Sequence, residues 1–219
     1  RRTVPHEGFA TLLRWASGMP HGAFAFTSNV DGQFQKAGFP EGRVVECHGS
    51  ILHLQCLRSC GEPVWPAGGV LVEVDEETCR ARPPFPSCPS CRGLARPNIL
   101  MFGDMGWDDA RTDVQHATLG SWLGRATGPL VVVELGAGTR IPTVRAFSER
   151  LADAPRRTLV RVNVREPELP PRFASPDPDS LEALLAGTTA GVRFRGASLP
   201  LGALEAIRAI DERIAAARG

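Results

Sequence analysis

The stretch "GPLVVVELGAGT", residues 128–139, sets four apolar residues in a row, then Glu134, Leu135 and a glycine-rich turn. An apolar run of that length ending in glycines reads as a fully buried strand feeding a tight turn. The segments after it keep the alternation going. "PTVRAFSERLA" (142–152) has helical spacing, "TLVRVNV" (158–164) reads as a strand, and "DSLEALLAG" (179–187) and "LGALEAIRAIDERIAAA" (201–217) read as helices. "PELPPRFASPDPDS" (167–180) is a Pro-rich loop, too short to be a domain linker. Before the opening stretch, "ATLGSWLGRA" (117–126) is helical, "NILMFG" (98–103), "RVVECHGS" (43–50) and "GAFAFTSN" (22–29) are short strands, and "GFATLLRWA" (8–16) is a helix. Strands alternating with helices predict an α/β fold, a Rossmann-like parallel sheet with helices on both faces.

Residues 52–96 interrupt this pattern. Cys, Pro and Gly become dense there, and periodicity fades, as expected of a small module held by something other than a core. The predicted organisation is one α/β domain, residues 1–51 and 97–219, with residues 52–96 inserted between two of its strands. Cys56-x3-Cys60, then 27 residues, then Cys88-x2-Cys91 is a two-knuckle arrangement suited to one tetrahedral zinc ion. Four thiolates leave no position for water, so such a site is structural. The alternative is four unligated thiols. Cys47 and Cys79 fall outside the spacing and read as ordinary thiols.

Composition narrows the function classes. With 25 basic and 24 acidic residues the net charge is +1, so no global field draws the chain to nucleic acid or an anionic membrane. Arginine dominates, Lys36 being the single lysine, and tyrosine is absent; the arginines are scattered, which reads as compositional bias. No run approaches 18 apolar residues and no signal peptide is evident, so a cytoplasmic protein is expected. An apolar fraction of 42% suffices for a core.

His48 lies eight positions before Cys56. With four sulfurs available, zinc has no need of it. Its place at the end of a strand, beside the "GS" turn, is where open α/β sheets keep ligand sites. It reads either as a proton carrier for a bound substrate or as a core histidine satisfied by backbone.

In order, "FTSNVDGQFQKAG" (26–38), "ECHGS" (46–50), the two cysteine pairs, "RPNILMFGD" (96–104) and "RVNVREP" (161–167) resemble the sirtuins, the NAD-dependent protein-lysine deacylases. The resemblance covers about residues 20–167. It implies a Rossmann-like domain that binds NAD, a zinc module beside it, and an acyl-lysine protein or peptide as substrate, with nicotinamide and O-acyl-ADP-ribose as products. In that family the acyl oxygen attacks the ribose carbon bearing nicotinamide, and the histidine of "HGS" is general base on a ribose hydroxyl. His48 matches it. Asn29 and Asp31 match the polar pair beside nicotinamide and ribose, although in isolation they also read as turn residues. Phe102 and Gly103 match the turn that pairs with the substrate peptide. Asn163, Arg165 and Glu166 match the loop at the adenosine ribose. The turn Gly136–Thr139 stands in for the second nucleotide loop, with Gly136 and Gly138 equally suited to anchor it.

The sequence departs from the family at Ser28, where many members have glutamine, and at Asp104, where most have glutamate; both bear on acyl preference. The family's first strand and Gly-Ala-Gly phosphate turn lie upstream of everything in these 219 residues. The native chain is therefore expected to begin several dozen residues before Arg1, and residues 1–219 alone to bind NAD weakly. Other readings stay open. The same chemistry suits transfer of ADP-ribose to protein, and a zinc-stapled ADP-ribose- or protein-binding module without catalysis is a second possibility. "VVVELGAGT" also resembles the first motif of S-adenosylmethionine-dependent methyltransferases, a reading that leaves "ECHGS" and the cysteine pairs unexplained. Oligomeric state is not legible.

Overall fold

A computed structural model describes residues 3–173 and 196–217. The helix expected over 179–187 lies outside the described residues. The chain divides into two compact units, Arg1–Arg125 and Ala126–Gly219.

The first unit opens with helix α1, Glu7–Ser17, whose first turn is capped by His6 Nδ1 accepting from the Gly8 N–H at 3.1 Å. Leu12 and Leu13 of α1 pack on a small core of Ala25, Phe39 and Val44. Strands β1, Ala25–Thr27, and β2, Val44–Glu46, pair in parallel with Ala25 opposite Val44 and Thr27 opposite Glu46. The crossover between them carries α2, Gln33–Lys36, and a 3-10 turn at Glu41–Arg43.

The predicted strand over 43–50 is two strands. β2 stops at Glu46, and β3, Gly49–Cys56, starts a different sheet. Gly49 makes this possible: its φ is +79°, and a Cβ there would overlap the Asn98 carbonyl oxygen. β3 is the centre of an antiparallel sheet, flanked by β4, Trp65–Pro66, and β7, Ala95–Ile99. Between those two lies a separate hairpin of β5, Val74–Asp75, and β6, Arg80–Ala81. The sheet around β3 thus begins at Gly49 and ends at Ile99, a few residues outside the Cys-rich stretch on each side. Leu54, Ala67 and Ala95 form its core, with Trp65 and Val70 against them. Helix α3, Ala110–Arg125, closes the unit against β2: Thr112 Oγ1 donates to the Glu46 carbonyl at 3.3 Å, and Gln115 Oε1 accepts from the Glu46 N–H at 3.0 Å.

The second unit is a parallel sheet of β8, Leu130–Leu135, β9, Arg157–Val162, and β10, Gly196–Leu199, in the order β10-β9-β8. Helix α4, Thr143–Ala152, packs on β8 and β9, and α5, Ala203–Ala216, follows β10. Ala152, Leu159 and Phe173 are its core, joined by Val132 and Leu169. β8 is not buried on both faces as its apolar run suggested. Val132 and Glu134 point to the covered side, while Val131 is 59% and Val133 36% exposed on the other. A run of valines has the same appearance whether one face or both are covered. Glu134 sits opposite Arg161 on β9, and the two form a fully buried ion pair at 2.5 Å that Glu149 extends to Arg161 at 2.7 Å. Among the described residues no helix is long and apolar enough to cross a membrane.

Candidate functional site

Parallel pairing of β1 with β2 decides what meets in the first unit. Because Thr27 lies opposite Glu46, the chain leaves both strands at the same level, and Asn29 and His48 each follow two residues later. Cys47 N–H donates to the Thr27 carbonyl at 2.9 Å and Ile51 N–H to the Val30 carbonyl at 2.8 Å, which holds the two departing segments together. His48 is half-buried, and its carbonyl accepts from the Leu100 N–H at 3.0 Å. That bond brings in the segment carrying Phe102 and Gly103. Asn29 is exposed, and Asp31 Oδ1 accepts from the Gln33 N–H at 3.1 Å, fixing the entry to α2. The segment bends at Ser28 and at Asp31, in keeping with turn residues.

The loop after β7 is held from beneath by Arg96, Asn98 and Gln55, which sequence reading did not single out, and by Asp104, which it noted only as a departure from the family. Arg96 grips Asp104 with two bonds, at 2.6 and 3.0 Å, and Asp104 Oδ1 also accepts from the Gly106 N–H at 3.1 Å. The arginine keeps the Asp104 carboxyl below the usual carboxylate range. Asn98, fully buried, donates to Gln55 Oε1 at 3.0 Å and to the Asp108 carbonyl at 2.8 Å, while Gln55 Nε2 reaches the Gly106 carbonyl at 2.7 Å. The tip that these bonds support is apolar and open: Phe102 is 89% and Met105 98% exposed. A polar residue inside "NILMFG" was the one available signal.

The four cysteines meet as their spacing predicts. The sulfurs of Cys56, Cys60, Cys88 and Cys91 all lie within 4.8 Å of one another, with Cys56 to Cys91 and Cys60 to Cys88 each at 3.6 Å. Zinc–sulfur bonds of about 2.3 Å place tetrahedral sulfurs about 3.8 Å apart, so the cluster fits zinc. Each pair rides on a tight turn, with Ser59 N–H donating to the Cys56 carbonyl at 3.3 Å and Arg92 N–H to the Cys88 carbonyl at 3.0 Å. Hydrogen bonding from the Cys60 N–H lowers the Cys56 thiol to about 6. Cys60 gains from the Glu62 N–H but is pushed up to about 12 by its bonds to Cys56 and Cys88. His48, Cys47 and Cys79 are not part of the cluster, and burial raises the Cys47 thiol to about 11, which leaves it unreactive.

In the second unit Gly136, Gly138 and Thr139 lie past the carboxyl end of β8, and Asn163, Arg165 and Glu166 past that of β9. Glu166 accepts from the Thr139 N–H at 2.8 Å and from its hydroxyl at 2.6 Å, and these bonds lower the Glu166 carboxyl. Asn163 Nδ2 donates to the Ala137 carbonyl at 3.0 Å, and its Oδ1 accepts from the N–H groups of Arg165 and Glu166 at 2.9 and 3.0 Å. Arg145 adds bonds from α4 to the carbonyls of Ala137 and Glu166. The two loops are therefore tied into one rim. Gly136, at φ +68° with open space where a Cβ would be, leaves that rim uncovered. A ribose or phosphate is what such a rim can receive.

The family model described as "Sir2 family" matches residues 4–123. The chain is 32% identical over 103 residues to an NAD-dependent protein deacylase of Aquifex aeolicus (47% of this chain, 37% of that protein). It is 33% identical over 105 residues to NAD-dependent protein deacylase 2 of Pseudomonas aeruginosa (48% and 36%). A probable bifunctional ADP-ribose hydrolase/ADP-ribosyltransferase of Fusarium oxysporum f. sp. cubense is 27% identical over 146 residues (62% and 24%). The chain thus spans little more than a third of the two deacylases it matches. Among solved structures, a Sir2–p53 peptide–NAD+ complex superposes with a TM-score of 0.54 at 19% identity, covering 97% of this chain and 71% of that one. A sirtuin solved to explain substrate affinity gives 0.56 at 19% identity, covering 97% and 73%. The fold is α/β and Rossmann-like with an inserted four-cysteine module, and the chain belongs to the Sir2 family.

Proposed function

We propose that the protein is an NAD-dependent protein-lysine deacylase. The observation that carries this is that the backbone segments bearing His48, Asn29 and the Phe102–Gly103 tip are hydrogen-bonded to one another past the carboxyl ends of β1 and β2. A binding module needs no ionisable imidazole at that point; a reaction that moves a proton does. His48 is the group that takes up and returns the proton. Asn29 presents an exposed amide at the same level, and Asp31, engaged with the Gln33 N–H, fixes the entry to α2 after it. The exposed tip at Phe102 and Gly103 suits an extended peptide laid along its backbone. In the second unit, the rim of Gly136–Thr139 and Asn163–Glu166 would hold the adenosine part of NAD, with Glu166 and Asn163 shaping the loop. When bound, NAD supplies an electrophilic ribose carbon and nicotinamide as leaving group. The names of the deacylase relatives and their shared family support this reading. A peptide substrate is supported by the p53 peptide and NAD+ in the structural relative's complex.

The test is His48→Ala in the full-length protein, with NAD, an acetyl-lysine peptide and nicotinamide release as the readout. A fall of ~10²–10⁴-fold, the usual consequence of losing a general base, with zinc content unchanged, is expected. Undiminished release from the variant overturns the assignment. The Fusarium relative favours a second reading, transfer of ADP-ribose to protein; a mass gain of one ADP-ribosyl group on an acceptor protein without loss of acyl groups from the peptide would select it.

A further inference from the structure

A cavity of about 370 Å³ within the first unit takes no part in the reading above. Its floor is formed by the ends of α2, β2 and β3, and its far wall by the turn after β4. Three residues on it carry buried polar atoms without a partner: Gln35 Oε1, Glu46 Oε1 and His53 Nδ1. Glu46 is 1% exposed, and Arg111 engages only its other oxygen, at 2.5 Å.

Unpartnered buried polar atoms are uncommon, and a carboxylate oxygen is the costliest kind to leave so. The two orphan oxygens are acceptors, and burial favours a neutral His53, which can also accept. Glu41 lines the same cavity and adds a second carboxylate, while Arg111, the cation on Glu46, is not among the lining residues. The lining thus carries two carboxylates and no cation of its own; Arg111, behind it, pairs one oxygen of Glu46, and its own Nη1 is buried without a partner. Leu52 and Pro66 supply apolar wall beside it. A ligand that complements all of this has several N–H donors on a cationic head and a short aliphatic stem.

We propose that this cavity binds a primary alkylammonium ion, its head on Glu46 and Gln35 and its stem along Leu52 and Pro66. The site does not depend on the deacylase reading, because neither His48 nor the loop at Phe102 lines it.

The probe is n-pentylammonium, titrated into the full-length, zinc-loaded protein by calorimetry, with n-pentanol as the uncharged control. Binding of the amine and not the alcohol is expected. Glu46→Gln should weaken it about tenfold or more, the scale of a lost charge-assisted bond. Since Glu46 also anchors Arg111, a second variant avoids the fold: a Cβ at Gly68 meets nothing within 4 Å, so Gly68→Leu can fill the mouth without strain. It should abolish binding at parental melting temperature. No binding of the amine, equal binding of the alcohol, or undiminished binding to Gly68→Leu each overturns the proposal. A parallel titration with acetyl-Gly-Lys-Gly-amide assigns the natural source: binding points to a lysine side chain of a peptide, its failure beside a binding pentylammonium to a free amine.

Discussion

Two parts of this chain are stabilised by opposite means. The sheet around β3 has a core of three small or medium residues, Leu54, Ala67 and Ala95, and leaves Leu57, Leu71, Val74 and Phe85 exposed around it. The sheet of β8, β9 and β10 buries Leu159, Val162, Phe173 and Ile207 almost completely and sets a charge pair in the middle of them. The first has its cross-link in four sulfurs; the second has its own packing. A metal-bound module of that size draws its folding free energy from ligation, whereas an apolar core draws it from area removed from water. The difference says which perturbation each part can survive.

The largest effect should come from Cys88→Ala. Cys88 is fully buried, and its N–H is bonded to the Gly93 carbonyl at 2.7 Å, so the change removes a ligand without disturbing an exposed loop. Structural zinc contributes about 10–16 kcal/mol in small modules near neutral pH. Loss of metal and rapid proteolysis between residues 57 and 94 are expected, with the β8–β10 sheet still folded by hydrogen exchange. Parental metal content and melting would mean that the module stands on its core after all.

The converse change tests the other part. Glu134→Leu removes the fully buried partner of Arg161 and leaves it only Glu149, which should cost up to about 3–5 kcal/mol. The double change Glu134→Leu with Arg161→Met should recover most of that loss, since a buried pair is often replaceable by apolar side chains of similar volume. Chemical denaturation of the three proteins measures both. Ser148 and Glu149 bond to the same pair, so full recovery is not expected. If the double variant is as unstable as the single one, the pair specifies the packing and does not merely neutralise itself.

How far the sequence could be read follows the same division. The metal ligands were legible because Cys56-x3-Cys60 and Cys88-x2-Cys91 are local spacings, and ligand geometry allows few alternatives to them. The α/β alternation was legible because helix and strand periods differ. His48 was read at the end of a strand beside a turn at Gly49–Ser50, whereas it lies in the turn Cys47–His48 and Gly49–Ser50 begin β3. That its segment meets the one carrying Asn29 follows from the register of Thr27 on Glu46, which periodicity does not carry. The bond of Gln55 to Asn98 was missed for the same reason, since they lie 43 positions apart and meet only through antiparallel pairing, whereas Arg96 and Asp104, eight apart, were missed because the loop between them has no periodicity to place them. The burial of β8 was overestimated because Val131 and Val133 look the same in sequence as Val132. Local chemistry is written in spacing, and pairwise chemistry in topology.

The smallest expected effect concerns acid. Sulfur ligands and bonded carboxylates both lose their bonds as pH falls; the four sulfurs lie in the first unit, so Glu166 reports the second unit away from them. Its two bonds from Thr139 lower the folded-state carboxyl relative to the unfolded chain, so it contributes stability above the ordinary glutamate range and loses it as pH falls through the folded value. With its side chain 37% exposed, the contribution is screened and small. The site-resolved NMR titration of Glu166 should therefore lie below the ordinary range. Thr139→Val removes the hydroxyl bond at 2.6 Å and keeps the N–H bond at 2.8 Å, so the titration should move upward part of the way and no further. A titration of Glu166 in the ordinary range in the parent protein would mean that the two loops are not tied together in solution, and that Gly136–Thr139 is free to close on a ligand. An unchanged titration in Thr139→Val would assign the whole shift to the backbone N–H and to Arg145, whose guanidinium lies 3.9 Å from Glu166.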